Sequence, residues 1–183
     1  AVQTVDYTKI ETDGNKIRLT QPGARIDLGG IAKGYIADQM KTYLHEQGVT
    51  SGIINLGGNV LCIGPKSDKS PYRIGIQKPF AEDGTPAAVV SVEDKTVVSS
   101  GIYERYFKTA DGTLYHHILN PKTGYPYNND LYGVSVICDS STDGDGLSTT
   151  CFSLGLNDGM ALIESLPDTE AIFITADGVL HTS

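Results

Sequence analysis

Strand-like runs dominate this chain, and helices do not alternate with them in any regular order. SGIINL, VLCIG, YRIGIQ, AAVVSV, TVVSSG, the segments around ERYF and YHHIL, YGVSVI, AIFIT and VLHTS all have the β-branched and aromatic density of strands. Helical spacing is confined to stretches near residues 30–47, 145–154 and 157–165, the first closed by Gly48, a fitting C-cap residue. A doubly wound parallel sheet needs a helix between successive strands. The pattern therefore predicts an α+β fold, with mixed or antiparallel sheets and a few packed helices. At 183 residues a single domain over 1–183 is the default, with enough chain to bury a core. Residues 66–70 and 82–86 are polar and turn-rich and are expected to be loops.

Charge and cysteine content narrow the function classes. With 14 basic against 22 acidic residues the net charge is −8, which argues against nucleic acid as a partner. No apolar run is long enough to span a bilayer. Cys62, Cys138 and Cys151 are odd in number, widely spaced and set in apolar contexts, so they are expected to be buried small hydrophobes rather than a disulfide or zinc framework.

Three motifs carry chemistry. In DLGGIAKGY, Asp27 to Tyr35, a carboxylate, paired glycines and a lysine sit where an extended RIDLGG segment is expected to give way to a helix. Such a junction gathers unpaired amides and the positive end of a helix dipole, which suits a phosphate; the same glycines also suit an ordinary tight turn. In DGDGLSTTCFSLG, Asp145 and Thr149 lie one helical turn apart and share a face. A carboxylate, a hydroxyl and a nearby carbonyl make a hard oxygen site for magnesium or calcium; alternatively Asp145 and Ser148 cap the helix while Thr149 turns inward. In HHILNPKTGYP, the Pro121 and Pro126 turn follows His117, which is either a proton-transfer group facing a cleft or a structural hydrogen bonder. Tyr103, Tyr106, Tyr115, Tyr125, Tyr127 and Tyr132 cluster nearby and either fill the core or stack on a ligand. Glu104 and Arg105 are expected to be a structural pair or a surface contact.

DLGGIAKGYIAD, INLGGNV, SSGIYERYF, HHILNPKTGYP and DGLSTTCFSLG follow one another in an order that resembles the ApbE-like flavin transferases, over most of the chain. The resemblance implies an ApbE-like, T-fold-type architecture. It also implies metal-dependent transfer of FMN from FAD to a threonine or serine hydroxyl of an acceptor flavoprotein, with release of AMP. An FAD pyrophosphatase giving FMN and AMP, or a non-catalytic flavin-binding protein, would keep the same motifs. Position by position, the resemblance assigns Asp27, Lys33 and Ile118 to FAD, and the Gly30 carbonyl, Asp145 and Thr149 to Mg2+, with Ca2+ the alternative. Ser148 stands where some relatives have a further acidic ligand, and would supply a hydroxyl or water contact. His117 matches a histidine that assists transfer. Asn59 stands where an aspartate often follows paired glycines, here Gly57 and Gly58, so a charge is missing. Since the family's catalytic unit begins well upstream of DLGG, AVQTVDYTKI is expected to open a fragment with an incomplete flavin pocket, its upstream segments absent or on a separate chain. The resemblance further implies an extracytoplasmic, membrane-associated lipoprotein held by an N-terminal anchor.

Overall fold

The computed structural model describes residues 2–81 and 84–183, so Glu82 and Asp83 of one expected loop lie outside the described residues. In chain order the elements are β1 (Ile10–Asp13), β2 (Lys16–Leu19), α1 (Ala32–Glu46), β3 (Gly52–Asn55), β4 (Asn59–Ile63), β5 (Tyr72–Gln77), β6 (Pro86–Val92), β7 (Thr96–Gly101), β8 (Tyr106–Lys108), β9 (Leu114–His116), β10 (Leu131–Cys138), α2 (Ser141–Leu154), α3 (Leu156–Glu164), β11 (Glu170–Thr175) and β12 (Leu180–Thr182). Six strands form one sheet in the order β12-β11-β10-β7-β4-β3, with every neighbouring pair antiparallel. The α+β expectation holds.

Both faces of that sheet are covered, which explains the nearly unbroken burial of β10. Val134, Val136 and Cys138 point with Phe173 to a core shared with Cys151, Phe152 and Ile163 of the helices. On the opposite face Ile137, Ile172 and Ile174 meet Ile74, Ile76 and Val92 of the β5–β6 ribbon. The strand period of two thus feeds two cores at once. All three cysteines are free and buried, and burial pushes each thiol up to about 11, as small hydrophobes require.

Helix α1 ends as its glycine predicts. Gly48 has φ +83°, its amide reaches the His45 carbonyl and the Val49 amide reaches that of Leu44, which satisfies the last turn. Between β3 and β4, Gly57 and Gly58 both take positive φ, the requirement of the tight hairpin turn that joins these strands.

Three expectations need correction. RIDLGG is not a strand: residues 24–28 are irregular, with Ile26 and Leu28 exposed, since no described strand pairs with them. Helix α2 starts at Ser141 rather than at Asp145, because the Ser140 hydroxyl accepts from the Asp143 amide and caps it there. The opening residues contain an unanticipated β1–β2 hairpin, whose signal was the Gly14–Asn15 turn.

Candidate functional site

The three motifs converge on one cleft of about 730 Å³. The loop before α1 contributes Asp27, Gly29, Gly30 and Lys33, and the β3–β4 turn contributes Gly57. The end of β7 supplies Ser99, Ser100 and Gly101, α2 supplies Asp145 and Thr149, and the segments flanking β8 and β9 supply Glu104, Arg105, His117 and Ile118.

At the head of α1 most amides are already engaged. Gly29 N donates to Asp27 Oδ1 at 2.7 Å, and Ile31 N and Ala32 N both donate to the Leu28 carbonyl. Gly34 N donates to Asp145 Oδ2 at 2.8 Å, from a residue 111 positions away. The tight-turn alternative accounts for these groups, and only the Gly30 and Lys33 amides lack a described partner. A carboxylate already sits on the positive end of this helix. What remains here for an anion are the Gly30 and Lys33 amides and the Lys33 ammonium, whose Nζ is held 2.7 Å from the Gly57 carbonyl.

The bond between Gly34 and Asp145 has a second effect. It takes the amide that a regular turn would give to the Gly30 carbonyl, and no described group donates to that oxygen in its place. Asp145 is 6% exposed, and no described residue donates to its Oδ1. Thr149 lines the same wall, its hydroxyl 3.1 Å from Ser100 Oγ. A carbonyl and a carboxylate oxygen that no described group donates to, together with the Thr149 hydroxyl, are the kind of hard oxygen set that magnesium or calcium takes. Among the described residues no cluster of three or more histidine, cysteine or acidic side chains suits a metal, so waters and ligand oxygens would complete the shell.

Ser148 stands apart from the others. It is fully buried behind the wall, with its hydroxyl 2.9 Å from Ser100 Oγ and donating to the Asp145 carbonyl at 3.2 Å. Ser100, Ser148 and Thr149 therefore form a chain of hydroxyls backing the cleft. Ser100 was missed in the sequence because the contact spans 48 residues and SSG carries no local signal.

A histidine pair at the cleft has divided roles. His116 is buried; its Nε2 donates to the Tyr127 carbonyl at 3.0 Å and its Nδ1 accepts from Ile118 N at 3.3 Å. Burial holds its pKa below the ordinary 6.5. His117 faces the cleft, and its Nδ1 lies 3.2 Å from the Arg105 carbonyl. A carbonyl only accepts, so Nδ1 carries the proton and Nε2 keeps a free lone pair. Ile118, 6% exposed, gives the apolar floor beside it. Of the clustered tyrosines only Tyr127 lines this cleft. Tyr106 and Tyr132 instead pack edge-on to Phe80, with centroids 5.4 and 5.3 Å away.

Asn59 occupies the interior below the paired glycines, fully buried. Its Oδ1 accepts from Ser141 Oγ at 2.8 Å, and its Nδ2 has no partner among the described residues. A charge at this position would have only hydroxyl and amide neighbours to compensate it.

The profile of the ApbE family matches residues 1–173, and the chain belongs to that family. It is 46% identical over 157 residues to an FAD:protein FMN transferase of Klebsiella pneumoniae, covering 86% of this chain and 48% of that protein. An FAD:protein FMN transferase of Treponema pallidum is 40% identical over 175 residues, covering 91% and 48%. The fold superposes on the crystal structure of the ApbE protein from Thermotoga maritima with a TM-score of 0.88 at 32% identity, over all of this chain and 59% of that one. The flavin transferase ApbE from Vibrio cholerae gives 0.84 at 29% identity, over 100% and 57%. The chain thus spans about half the length of the curated relatives it matches. In those relatives the matched and unmatched parts share one chain, so the expected separate upstream chain finds no support.

Proposed function

We propose that this chain provides the phosphate-handling part of an FAD:protein FMN transferase. The observation that carries this is the convergence of Asp145, Thr149, the Gly30 carbonyl, Lys33 and His117 on one cleft, in a chain whose relatives bear that enzyme name. In this reading Gly30, Asp145 and Thr149 hold magnesium, which when bound supplies fixed positive charge beside a pyrophosphate. Lys33 contributes a second positive charge, and its tether to Gly57 keeps the ammonium in place without neutralising it. Asp27 and Ile118 flank the FAD.

His117 is the proton acceptor. The hydroxyl of an acceptor flavoprotein attacks the phosphorus of the FMN half, a new P–O bond forms, and the P–O bond to AMP breaks in line. The hydroxyl proton passes to Nε2, the nitrogen left bare by the hydrogen bond from Nδ1 to the Arg105 carbonyl. Water in place of the protein hydroxyl gives FMN and AMP by the same geometry. An extracytoplasmic, lipid-anchored setting belongs to the same proposal; no described helix is long and apolar enough to cross a membrane.

Incubation with magnesium, FAD and a candidate acceptor, with chromatography of nucleotides and intact-mass analysis of protein, tests this. AMP together with a flavin-labelled acceptor is the expected result. AMP with free FMN assigns a hydrolase, and no AMP leaves a flavin binder.

A further inference from the structure

We propose that Arg105 is a catalytic residue of this cleft, whose guanidinium grips the phosphate of the FMN half while it is transferred. The inference rests on the flavin-transfer reading above and adds to it the group that holds the moving phosphoryl. The charged side chains of the cleft differ in how they are engaged. Asp27 accepts from Gly29 N, Lys33 donates to the Gly57 carbonyl, and Asp145 accepts from Gly34 N. Arg105 and its neighbour Glu104 line the same cleft, and neither side chain makes a hydrogen bond or ion pair with any described residue; of the two only the guanidinium suits a phosphate. Its backbone, in contrast, is fixed. The Arg105 carbonyl accepts from both His117 N and His117 Nδ1, each at 3.2 Å.

These two hydrogen bonds from one histidine to one carbonyl fix the Arg105 backbone beside His117. His117 Nε2 receives the proton of the attacking hydroxyl, so it lies on the nucleophile's side of the phosphorus, opposite the departing AMP. The Arg105 backbone is pinned to that same side. A guanidinium there meets the equatorial oxygens of the phosphoryl in flight, and its planar fork matches two of them at once. In this assignment Arg105 meets charge on the transferred group, while Lys33 and a bound magnesium would meet charge on the leaving group.

The test compares FMN, which carries the phosphate, with riboflavin, which lacks it. Titration calorimetry on the 183-residue protein in magnesium buffer gives both affinities for the native chain, R105Q and R105K. R105Q is expected to lose FMN affinity by roughly ten- to a hundredfold, the usual worth of a charge-assisted hydrogen bond, while riboflavin affinity stays within about twofold. R105K keeps a point charge without the fork, and its FMN affinity should fall severalfold. In turnover assays kcat/KM for AMP release should fall in R105Q, with part of the loss in KM because the phosphate contact is already made in the bound state. An unchanged ratio of FMN to riboflavin affinity in both variants overturns the assignment of Arg105 alone. A native protein that releases no AMP from FAD in these assays overturns the transfer reading, and Arg105 with it.

Discussion

Asp38 and Asp145 cap each other's helices. From α1, the Asp38 carboxylate accepts from the Ser141 and Thr142 amides at 2.9 and 2.8 Å and from the Thr142 hydroxyl at 2.6 Å; from α2, Asp145 accepts from Gly34 N at 2.8 Å. Each helix start finds its missing acceptor on the other helix, so the two cannot slide without losing both caps. The crossing also fixes the site, since it frees the Gly30 carbonyl and aims Asp145 Oδ1 at the cleft.

Asp145 therefore has two separable functions. Asp145→Asn keeps an oxygen for the Gly34 amide and removes the charge. Its melting temperature should stay within about 2 °C of native, while magnesium affinity falls by more than the tenfold or so that even outer-shell partners can cost. Asp145→Ala should lose both, with about 1–3 kcal/mol of stability from the orphaned amide. Calorimetric titration with magnesium beside thermal melts separates the two variants, and unchanged magnesium affinity in Asp145→Asn would reduce the residue to a helix cap.

Asp38→Ala gives the complementary result. It strips the α2 start of its cross-helix acceptor and should cost about 1–2 kcal/mol in urea unfolding. No ligand leaves the cleft, so magnesium binding should weaken less than in Asp145→Asn. A stability loss under a few tenths of a kcal/mol would mean that the Ser140 cap suffices alone.

Gly34→Ala reverses the usual sign of a helix substitution. Alanine in place of glycine normally stabilises a helix by about 1 kcal/mol. Here a Cβ would lie 2.2 Å from the Ser141 carbonyl oxygen and 2.7 Å from its carbon, both backbone atoms that cannot turn away. The variant should lose about 3 kcal/mol or more through overpacking, measured as a lower urea midpoint. A neutral or stabilising outcome would show that the helices can part.

Legibility in the sequence followed the range of the interaction that decides each feature. The Gly48 helix stop and the strands β3 to β12 rest on local pattern and were readable. The one-turn spacing of Asp145 and Thr149 correctly placed both on one helix face. It left open what Asp145 holds, because its partner Gly34 lies 111 residues away and has no side chain to signal the contact. The α2 start was misread for a similar reason: DGDG looks like a turn, and the Asp38 cap that helps make it helical comes from α1. RIDLGG has strand composition without a described strand to pair with, and Glu104 and Arg105, expected as a structural pair or a surface contact, are both exposed, form no described ion pair and line the cleft.

His117→Ala tests the proton acceptor. Removing a general base lowers turnover by about 10²- to 10⁴-fold. FAD affinity should change little, since the Asp145 wall, Lys33 and Ile118 are untouched. The readout is kcat for AMP release against the FAD dissociation constant from flavin fluorescence. A parallel loss in both would assign His117 to binding rather than to chemistry.

His116 gives the fold a pH dependence of predictable sign. Burial lowers its pKa in the folded state below the ordinary 6.5 of an unfolded chain. In the window between those two values the unfolded state binds the extra proton, so stability rises with pH there. The contribution is fully present above about 6.5 and is lost as pH falls through the folded pKa, because Nδ1 must then take a proton while it faces the Ile118 amide. Native protein should show a melting temperature that drops as pH is lowered from 6.5 toward 5. His116→Gln cannot titrate in that window and should show a shallower slope, though its absolute stability is lower through the lost Tyr127 contact. Equal slopes for the two proteins would assign the acid sensitivity to other groups.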